Sequence, residues 1–307
     1  MANPDRPLRL GTRASPLAMA QAHLVRDALL DAHGWSADAI EIISAVATGD
    51  RIQDRALAEV GGKALWTKEL DAALFAGEID FAVHSMKDVE TERSARLVIA
   101  AMLPRADVRD RLVGAPSLDA LPPGARLGTS APRRRAQVLR LRPDLQVMLL
   151  RGNVQTRLAK LAAGDVDATL LASAGLERLG MHETGTSLPT SLLLPAPSQG
   201  AVGIETLADN TRVAEWLAAI NHDETFSCVA SERALLAGLS GDCRSPVAAL
   251  ATKEGSMICL KAEIYSADGS QAEAGTAEFK PGGKDPFELG VAMLARAHSS
   301  IRAVFLS

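Results

Sequence analysis

Cysteine and aromatic residues are scarce in this sequence. Its 307 residues include three cysteines, one tyrosine, three tryptophans and six phenylalanines. Cys228, Cys243 and Cys259 are odd in number and form no Cys-x-x-Cys pair, so their spacing predicts neither a disulfide framework nor a zinc cluster. We therefore expect no metal ion and a reducing, cytoplasmic compartment.

Long apolar runs and an excess of positive charge are missing as well. No segment reaches the roughly eighteen apolar residues of a membrane span, and the first residues, MANPDRPLRLGTRASPLAM, lack the basic and apolar regions of an export signal. The net charge of −4 argues against nucleic acid as the main partner, because duplex binding needs an electropositive surface. We expect a globular protein without membrane or nucleic-acid partners, whose local basic clusters face a small anionic ligand.

Two pairs of similar segments indicate two similar halves. Leu-Gly-Thr occurs at residues 10–12 and again at 127–129, each time followed by an alanine, a proline and a helical pattern. The segments LFAGEIDFAV and LAAGDVDATL share a glycine that ends a helix and an aspartate that precedes an apolar strand. These pairs predict two α/β lobes, and a cleft between two such lobes commonly binds a small ligand.

The pattern changes from His222 onward. The segment HDETFSCVASERALLAGL is helical, and short strands separated by Glu-Gly-Ser and Asp-Gly-Ser turns follow it. A last helix begins at Asp285 and Pro286. This order predicts a C-terminal α+β domain with a three-stranded antiparallel sheet, and Cys243 lies on the loop that enters the sheet.

Cations collect at predicted loops and helix starts. Arg13 follows the first strand, Arg133 and Arg134 open the corresponding helix of the second half, and Arg151 and Arg178 follow later strands. Helix N-termini attract anions and guanidinium groups bind carboxylates with paired hydrogen bonds, so the pattern favours a carboxylate ligand. Two further cations are Arg157, which also fits a solvated helix face, and Lys63, whose glycine loop lacks the spacing of a P-loop.

Asp88 and Cys243 are the candidates for chemistry. Asp88 lies beside Lys87 on a short polar loop, either in a simple salt bridge or as a carboxylate that stabilises positive charge or moves a proton. The residues around Cys243 leave four roles open: nucleophile, metal ligand, covalent anchor or small buried side chain. A cysteine-dependent hydrolase would need a nearby histidine, and His222 is the nearest one upstream.

Eight segments together resemble the porphobilinogen deaminase family, also called hydroxymethylbilane synthases, in the family's order and over nearly the whole chain. They are LGTRASPLAMAQA, VGGKALWTKELDAAL, DFAVHSMKDV, LGTSAPRRRAQ, LRGNVQTRLAKL, ASAGLERLG, PAPSQGAVGIE and ERALLAGLSGDCRSP. The resemblance implies an enzyme that joins four porphobilinogen molecules head to tail, releases ammonia at each step and hydrolyses the product to hydroxymethylbilane. It also implies two lobes similar to type II periplasmic binding proteins.

The resemblance assigns domains as well. Lobe 1 is expected over residues 1–103 and 200–221, lobe 2 over 104–199, and the C-terminal domain, which carries the cofactor, over 222–307. We expect a monomer. The alternative from a different class is a two-lobed module that binds an anion without catalysis; the absence of an export signal and the presence of the cysteine-bearing domain argue against it.

The same resemblance implies residue roles. Cys243 matches the cysteine that holds a dipyrromethane cofactor through a thioether, and Asp88 matches the catalytic aspartate that contacts pyrrole N–H groups and stabilises a cationic intermediate. Residues matched to binding of the cofactor are Arg13, Ser15, Lys87, Thr129, Ser130, Arg133, Arg134, Arg151 and Arg157. Residues matched to binding of the substrate are Arg13, Arg151, Arg157, Arg178 and Lys63.

Six positions depart from the family's usual residues. Asp242 precedes the cysteine where glycine is usual, and its carboxylate is expected to disfavour the thiolate and slow cofactor attachment. Ala131 and Pro132 replace a usual Ser-Leu pair, which removes one hydroxyl contact. The remaining departures are Trp66 for phenylalanine and Glu90 and Val108 for prolines.

Overall fold

The structure is a computed structural model that describes residues 4–45 and 67–305. The described residues divide into two compact units. Unit 1 contains residues 4–45, 67–106 and 200–226, and unit 2 contains residues 107–199 and 227–305. The bounds of the three expected domains stay a prediction. None of the helices in the described ranges is long and apolar enough to cross a membrane.

The strands of the described residues form three sheets. In chain order they are β1 Leu8–Arg13, β2 Ile40–Ala45, β3 Phe81–Ser85, β4 Leu97–Met102, β5 Asp110–Val113, β6 Arg126–Gly128, β7 Gln146–Met148, β8 Ala168–Ala172, β9 Thr186–Ser187, β10 Val202–Leu207, β11 Val247–Glu254, β12 Met257–Tyr265 and β13 Ala272–Phe279. The α-helices are α1 Pro16–His33, α2 Lys68–Phe75, α3 Pro132–Leu141, α4 Val154–Ala162, α5 Ser173–Arg178, α6 Thr211–Ala218, α7 Asp223–Gly238, α8 Asp285–Arg296 and α9 Ser299–Phe305.

The sheets of the two lobes have the same strand order. Unit 1 has the order β2-β1-β3-β10-β4, in which β1 is parallel to β2 and β3 while β10 is antiparallel to β3 and β4. Unit 2 has the order β7-β6-β8-β5-β9, in which β6 is parallel to β7 and β8 while β5 is antiparallel to β8 and β9. In each sheet the one internal antiparallel strand follows a crossing of the chain between the two units. The prediction of two similar α/β lobes is confirmed.

The aspartate shared by the two similar segments has the same structural role in both lobes. Asp80 accepts a hydrogen bond from the backbone N–H of Arg9 at 2.7 Å, and Asp167 accepts one from the backbone N–H of Arg126 at 2.7 Å. Arginine side chains complete each site, since Asp80 pairs with Arg6 and Asp167 with Arg126. Each aspartate thus joins the start of the strand that follows it, β3 or β8, to the parallel neighbour of that strand, β1 or β6.

Helix α1 follows the local signals of its sequence. Ser15 caps its N-terminus by accepting from the N–H of Ala18 at 3.3 Å, and Pro16 takes the first position, where a missing N–H costs nothing. Gly34 ends the helix in the left-handed region at φ 65°. Val25 and Leu29 on this helix are fully buried against the unit 1 sheet.

The C-terminal part of unit 2 contains a three-stranded antiparallel sheet, as predicted. Strand β12 lies between β11 and β13, and apolar side chains from the helices bury its inner face. Within unit 2 this sheet contacts the second lobe, because the N–H of Ala249 donates to Pro195 O at 3.0 Å. Ala136 of α3 and Tyr265 of β12 are buried in one cluster at that contact.

Candidate active site

Asp88 lies at the carboxyl end of β3. The strand ends at Ser85, and residues 86–88 form a single 3₁₀ turn that is closed by the N–H of Val89 donating to Met86 O at 3.3 Å. Met86 is fully buried, whereas the Asp88 side chain is 34% exposed. Met86 and Val89 thus hold this turn in the core, while the carboxylate of Asp88 stays accessible.

Arg13 is the cation that the fold brings to Asp88. Strands β1 and β3 are parallel neighbours, so their carboxyl ends meet at one edge of the sheet. Arg13 Nη1 lies 3.9 Å from Asp88 Oδ2, at the outer limit of an ion pair. Ser15 follows on the same loop, where its hydroxyl already caps α1, and Lys87 is adjacent to Asp88 in the turn.

A second group of predicted residues assembles in unit 2 at the ends of β6 and β7. Arg157 donates from Nη2 to Ser130 Oγ at 3.1 Å and from Nε to Gly152 O at 2.8 Å. Thr129 is buried and accepts from the N–H of Ala131 at 3.2 Å. Arg151, on the loop after β7, is 6% exposed. The structure thus brings together four of the predicted ligand-binding residues of this lobe.

Arg133 and Arg134 lie in the core of unit 2 around a shared carboxylate. Arg133 Nη2 donates to Asp110 Oδ2 at 2.8 Å, and Arg134 Nη2 donates to Asp110 Oδ1 at 2.7 Å. Burial opposes ionisation of this acid, but the two guanidinium groups hold the pKa of Asp110 well below its usual value. Asp110 was not among the predicted site residues; the acid at the start of an apolar strand, in RDRLV, was the available signal.

The pairing with Asp110 bears on the predicted ligand-binding role of Arg133 and Arg134. They were predicted to bind ligand carboxylates, yet their side chains are only 4% and 7% exposed and already have a carboxylate partner in the protein. In both residues the buried Nε atom has no hydrogen-bond partner. Contact with a ligand therefore stays a prediction, whereas the pairing with Asp110 is observed.

The remaining predicted cations have separate positions. Arg178 ends α5 and is largely buried, which lowers the pKa of its guanidinium group from the ordinary value. Lys63 and Trp66 lie outside the described residues.

Two of the positions that differ from the family's usual residues lie at the start of α3. Pro132 is the first residue of this helix, and Ala131 before it has no side chain that could cap the helix, so the hydroxyl contact of the usual serine is missing, as expected. Val108 O accepts from Gln199 Nε2 at 2.7 Å.

Cys243 lies exposed on the loop between α7 and β11. The preceding Asp242 is held by Arg244, whose Nε and Nη2 donate to Asp242 Oδ2 at 2.9 and 2.7 Å. The N–H of Asp242 also donates to Ser245 Oγ at 3.0 Å. A cation on the same loop is therefore paired with Asp242, and the expected effect of Asp242 on the thiol stays a prediction. His222, the histidine considered for a hydrolase, caps α7 in unit 1 by accepting from the N–H of Thr225.

The two equivalent sheets and the C-terminal antiparallel sheet define a two-lobed α/β protein with an additional α+β part, which confirms the predicted fold class. Solved structures to which this chain is similar include a TRAP periplasmic solute binding protein from Desulfovibrio salexigens, with TM-score 0.43, 11% identity and coverage of 72% of this chain and 74% of that one. Another is the BvgS VFT2 domain of Bordetella pertussis, with TM-score 0.38, 18% identity and coverage of 75% and 90%.

Sequence comparison then defines the family. Residues 8–215 match the family model described as porphobilinogen deaminase, dipyromethane cofactor binding domain, and residues 226–298 match the porphobilinogen deaminase C-terminal domain. A porphobilinogen deaminase of Sphingopyxis alaskensis is 62% identical over 311 residues, covering 99% of this chain and 98% of the relative. One from Paracoccus denitrificans is 50% identical over 277 residues, covering 89% and 88%.

This chain belongs to the porphobilinogen deaminase family. The predicted family, the assignment as a transferase of tetrapyrrole biosynthesis and the predicted dipyrromethane cofactor are confirmed. The alternative of an anion-binding module without catalysis is not favoured.

Proposed function

We propose that this chain joins four porphobilinogen molecules head to tail into hydroxymethylbilane, with Asp88 as the catalytic carboxylate and Cys243 as the thioether anchor of dipyrromethane. The observation that carries the proposal is the accessible carboxylate of Asp88 beside Arg13, at the carboxyl edge of the unit 1 sheet. Such edges are where α/β proteins place their ligands.

The proposed role of Asp88 is to stabilise positive charge. Loss of ammonia breaks the C–N bond of the substrate's aminomethyl group and leaves an electron-poor carbon conjugated with the pyrrole nitrogen. A fixed carboxylate that accepts a hydrogen bond from the pyrrole N–H stabilises this cation and assists the departure of the amine. When the terminal pyrrole carbon of the bound chain forms the new C–C bond to this electron-poor carbon, the proton that the pyrrole carbon loses balances the step.

The proposed role of the arginines is to bind carboxylates, of which each added pyrrole carries two. Guanidinium groups suit this task because they bind carboxylates with paired hydrogen bonds. We assign carboxylate binding to Arg13, Arg151, Arg157 and Arg178. We assign it also to Arg133 and Arg134, whose positive charge is only partly neutralised by Asp110. Ser15, Lys87, Thr129, Ser130 and Lys63 are assigned to the same ligands.

The residues around Cys243 fit a covalently held dipyrromethane. The thiol is exposed, and the hydrogen bonds of Asp242 with Arg244 and Ser245 shape its loop. When bound, the cofactor supplies a terminal pyrrole carbon to which the first substrate is added. We further propose a cytoplasmic monomer of three domains, with porphobilinogen as its ligand and no membrane or nucleic-acid partner.

One set of proteins tests the proposal: the wild type, Cys243→Ser and Asp88→Asn. In denaturing mass spectrometry we expect the wild type to exceed its sequence mass by two pyrrole units and Cys243→Ser to lack that excess. We expect Asp88→Asn to bind substrate but to lose turnover by about a hundredfold or more, because the stabilising charge is removed. An unmodified mass in an active wild-type preparation would exclude Cys243 as the anchor of the cofactor. Near-normal turnover of Asp88→Asn would exclude Asp88 as the catalytic carboxylate.

A further inference from the structure

The segment that follows Asp88 ends in a buried cluster of charges. We propose that Glu90 and Arg93 are positioning residues, which fix the turn that carries Asp88 by binding it to strand β10. This inference rests on the proposed catalytic role of Asp88. It concerns two side chains that the family resemblance left unassigned, one of them at a position where the family usually has proline.

Arg93 is the centre of the cluster. Its Nε and Nη2 donate to the two carboxylate oxygens of Glu205 at 2.9 and 2.6 Å, and its Nη2 also donates to Asp71 Oδ1 at 2.6 Å. Its Nη1 donates to Glu90 Oε2 at 2.8 Å. The Arg93 side chain is 12% exposed and Glu205 is fully buried, so water screens these ion pairs little.

Glu90 connects the cluster to the catalytic turn. It stands two residues after Asp88, and its Oε2 accepts from Thr67 Oγ1 at 2.9 Å as well as from Arg93. Val89, between Asp88 and Glu90, is buried and extended. With Val89 buried and Glu90 bonded on two sides, the chain after Asp88 has little freedom to move.

The chain before Asp88 is anchored to the same strand. Met86 donates its N–H to Ala201 O at 3.1 Å, and its sulfur fills the space that a Cβ at Gly203 would occupy. Gly203 and Glu205 both belong to β10, two residues apart. Asp88 is therefore held between two attachments to one strand, by packing on one side and by ion pairs on the other.

Glu90 allows a test that leaves the buried ion pairs intact. Removing Arg93 would leave Glu205 buried without its main partner, which destabilises a fold strongly. Removing the Glu90 carboxylate leaves Arg93 paired with Glu205 and Asp71, so the fold is retained while the turn loses its restraint. Because Val89 already has the extended conformation that a following proline requires, Glu90→Pro offers a second way to restrain the same chain.

We expect Glu90→Ala to lower kcat by about tenfold, because a small displacement of a reacting group slows the chemical step. Its KM should change by less than about twofold and its cofactor mass should not change, since Glu90 touches neither ligand in this proposal. Glu90→Pro should recover most of the lost kcat. Glu92→Ala, which removes the same charge from an exposed side chain two residues away, is the matched control and should behave as the wild type.

Three results would overturn the inference. They are a Glu90→Ala enzyme with wild-type kcat, a Glu90→Pro enzyme as slow as Glu90→Ala, and equal losses in Glu90→Ala and Glu92→Ala. Arg93→Lys provides a second test, since a single ammonium cannot reproduce the paired hydrogen bonds, and its kcat should also fall while KM is kept. If Asp88→Asn retains turnover, the proposed function fails instead, whatever the Glu90 variants do.

Discussion

Asp242 and Arg244 decide the charge around the thiol of Cys243. Both oxygens of the carboxylate are engaged by Arg244, Oδ1 by its backbone N–H at 2.8 Å and Oδ2 by its guanidinium group. This pairing raises the pKa of Arg244, chiefly through the hydrogen bond to Asp242. The sequence showed that Asp242 is unusual at this position, but only the side-chain geometry shows that Arg244 is paired with it.

Arg244→Gln should therefore slow the attachment of dipyrromethane. Without the guanidinium group, the Asp242 carboxylate would stand unpaired beside the thiol and disfavour the thiolate, which is the reactive form. We expect attachment about threefold slower, in line with loss of a partly exposed ion pair worth under about 1 kcal/mol. The rate can be followed by intact mass when cofactor-free protein is mixed with porphobilinogen.

The control for this prediction is the double variant with Asp242→Gly. Removing the carboxylate as well should restore the rate of attachment to that of the wild type. A slow double variant would show that Arg244 acts on the thiol in some other way than by neutralising Asp242.

At the scale of single elements, strand β10 combines a structural and a positional role. It is the antiparallel member of the unit 1 sheet, and its residues Gly203 and Glu205 attach the Asp88 turn. The sequence predicted the polar loop after β3 and, in PAPSQGAVGIE, supplied one of the segments of the family resemblance. It did not predict the cluster of Arg93, because Arg93 and Glu205 are 112 residues apart and meet only through the order of the strands.

Glu205 makes this element sensitive to acid. Burial would raise the pKa of its carboxyl, but the neighbouring His84, 3.2 Å away, and the hydrogen bonds from Arg93 lower it from 4.5 to about 2. A carboxylate whose pKa is lower in the folded state stabilises the fold above pH 4.5 and loses that effect as the pH falls toward 2. The difference corresponds to roughly 3 kcal/mol of folding free energy.

The free energy of unfolding in urea at pH 5.5 and at pH 3 measures this effect. We expect the wild type to lose more stability between these two values than Glu205→Gln does, because the variant has no carboxyl to protonate. Glu92→Gln, at an exposed position, should keep the wild-type dependence on pH. Equal pH dependence in the wild type and Glu205→Gln would contradict the prediction.

At the scale of the whole molecule, repetition in the sequence predicted repetition in the structure. The paired Leu-Gly-Thr and Ala-Gly segments led to two lobes, and Asp80 and Asp167 have matching backbone partners. Strand order could not be obtained in the same way, because periodicity identifies strands without identifying their neighbours. Contacts such as that of Glu232 with two distant backbone N–H groups were likewise beyond sequence reasoning.

Glu232 joins two parts of unit 2 through those contacts. Its fully buried carboxylate accepts from the N–H of Ser198 at 2.5 Å and from the N–H of Ala251, at the C-terminal sheet, at 2.8 Å. Glu232→Gln has only one acceptor oxygen for two donors, so we expect it to lower the free energy of unfolding by about 1 to 3 kcal/mol. Urea denaturation measures this, and Glu288→Gln, at an exposed position of α8, should leave it unchanged.

Arg133 and Arg134, around Asp110 in unit 2, hold positive charge at a fixed position. Arg133 and Arg134 share the single carboxylate of Asp110, so the three groups together carry one net positive charge. Packing and hydrogen bonds to main-chain oxygens keep both guanidinium groups in place. An anion that binds near this cluster meets a charge whose position is already set, and no flexible side chain has to be ordered at each addition.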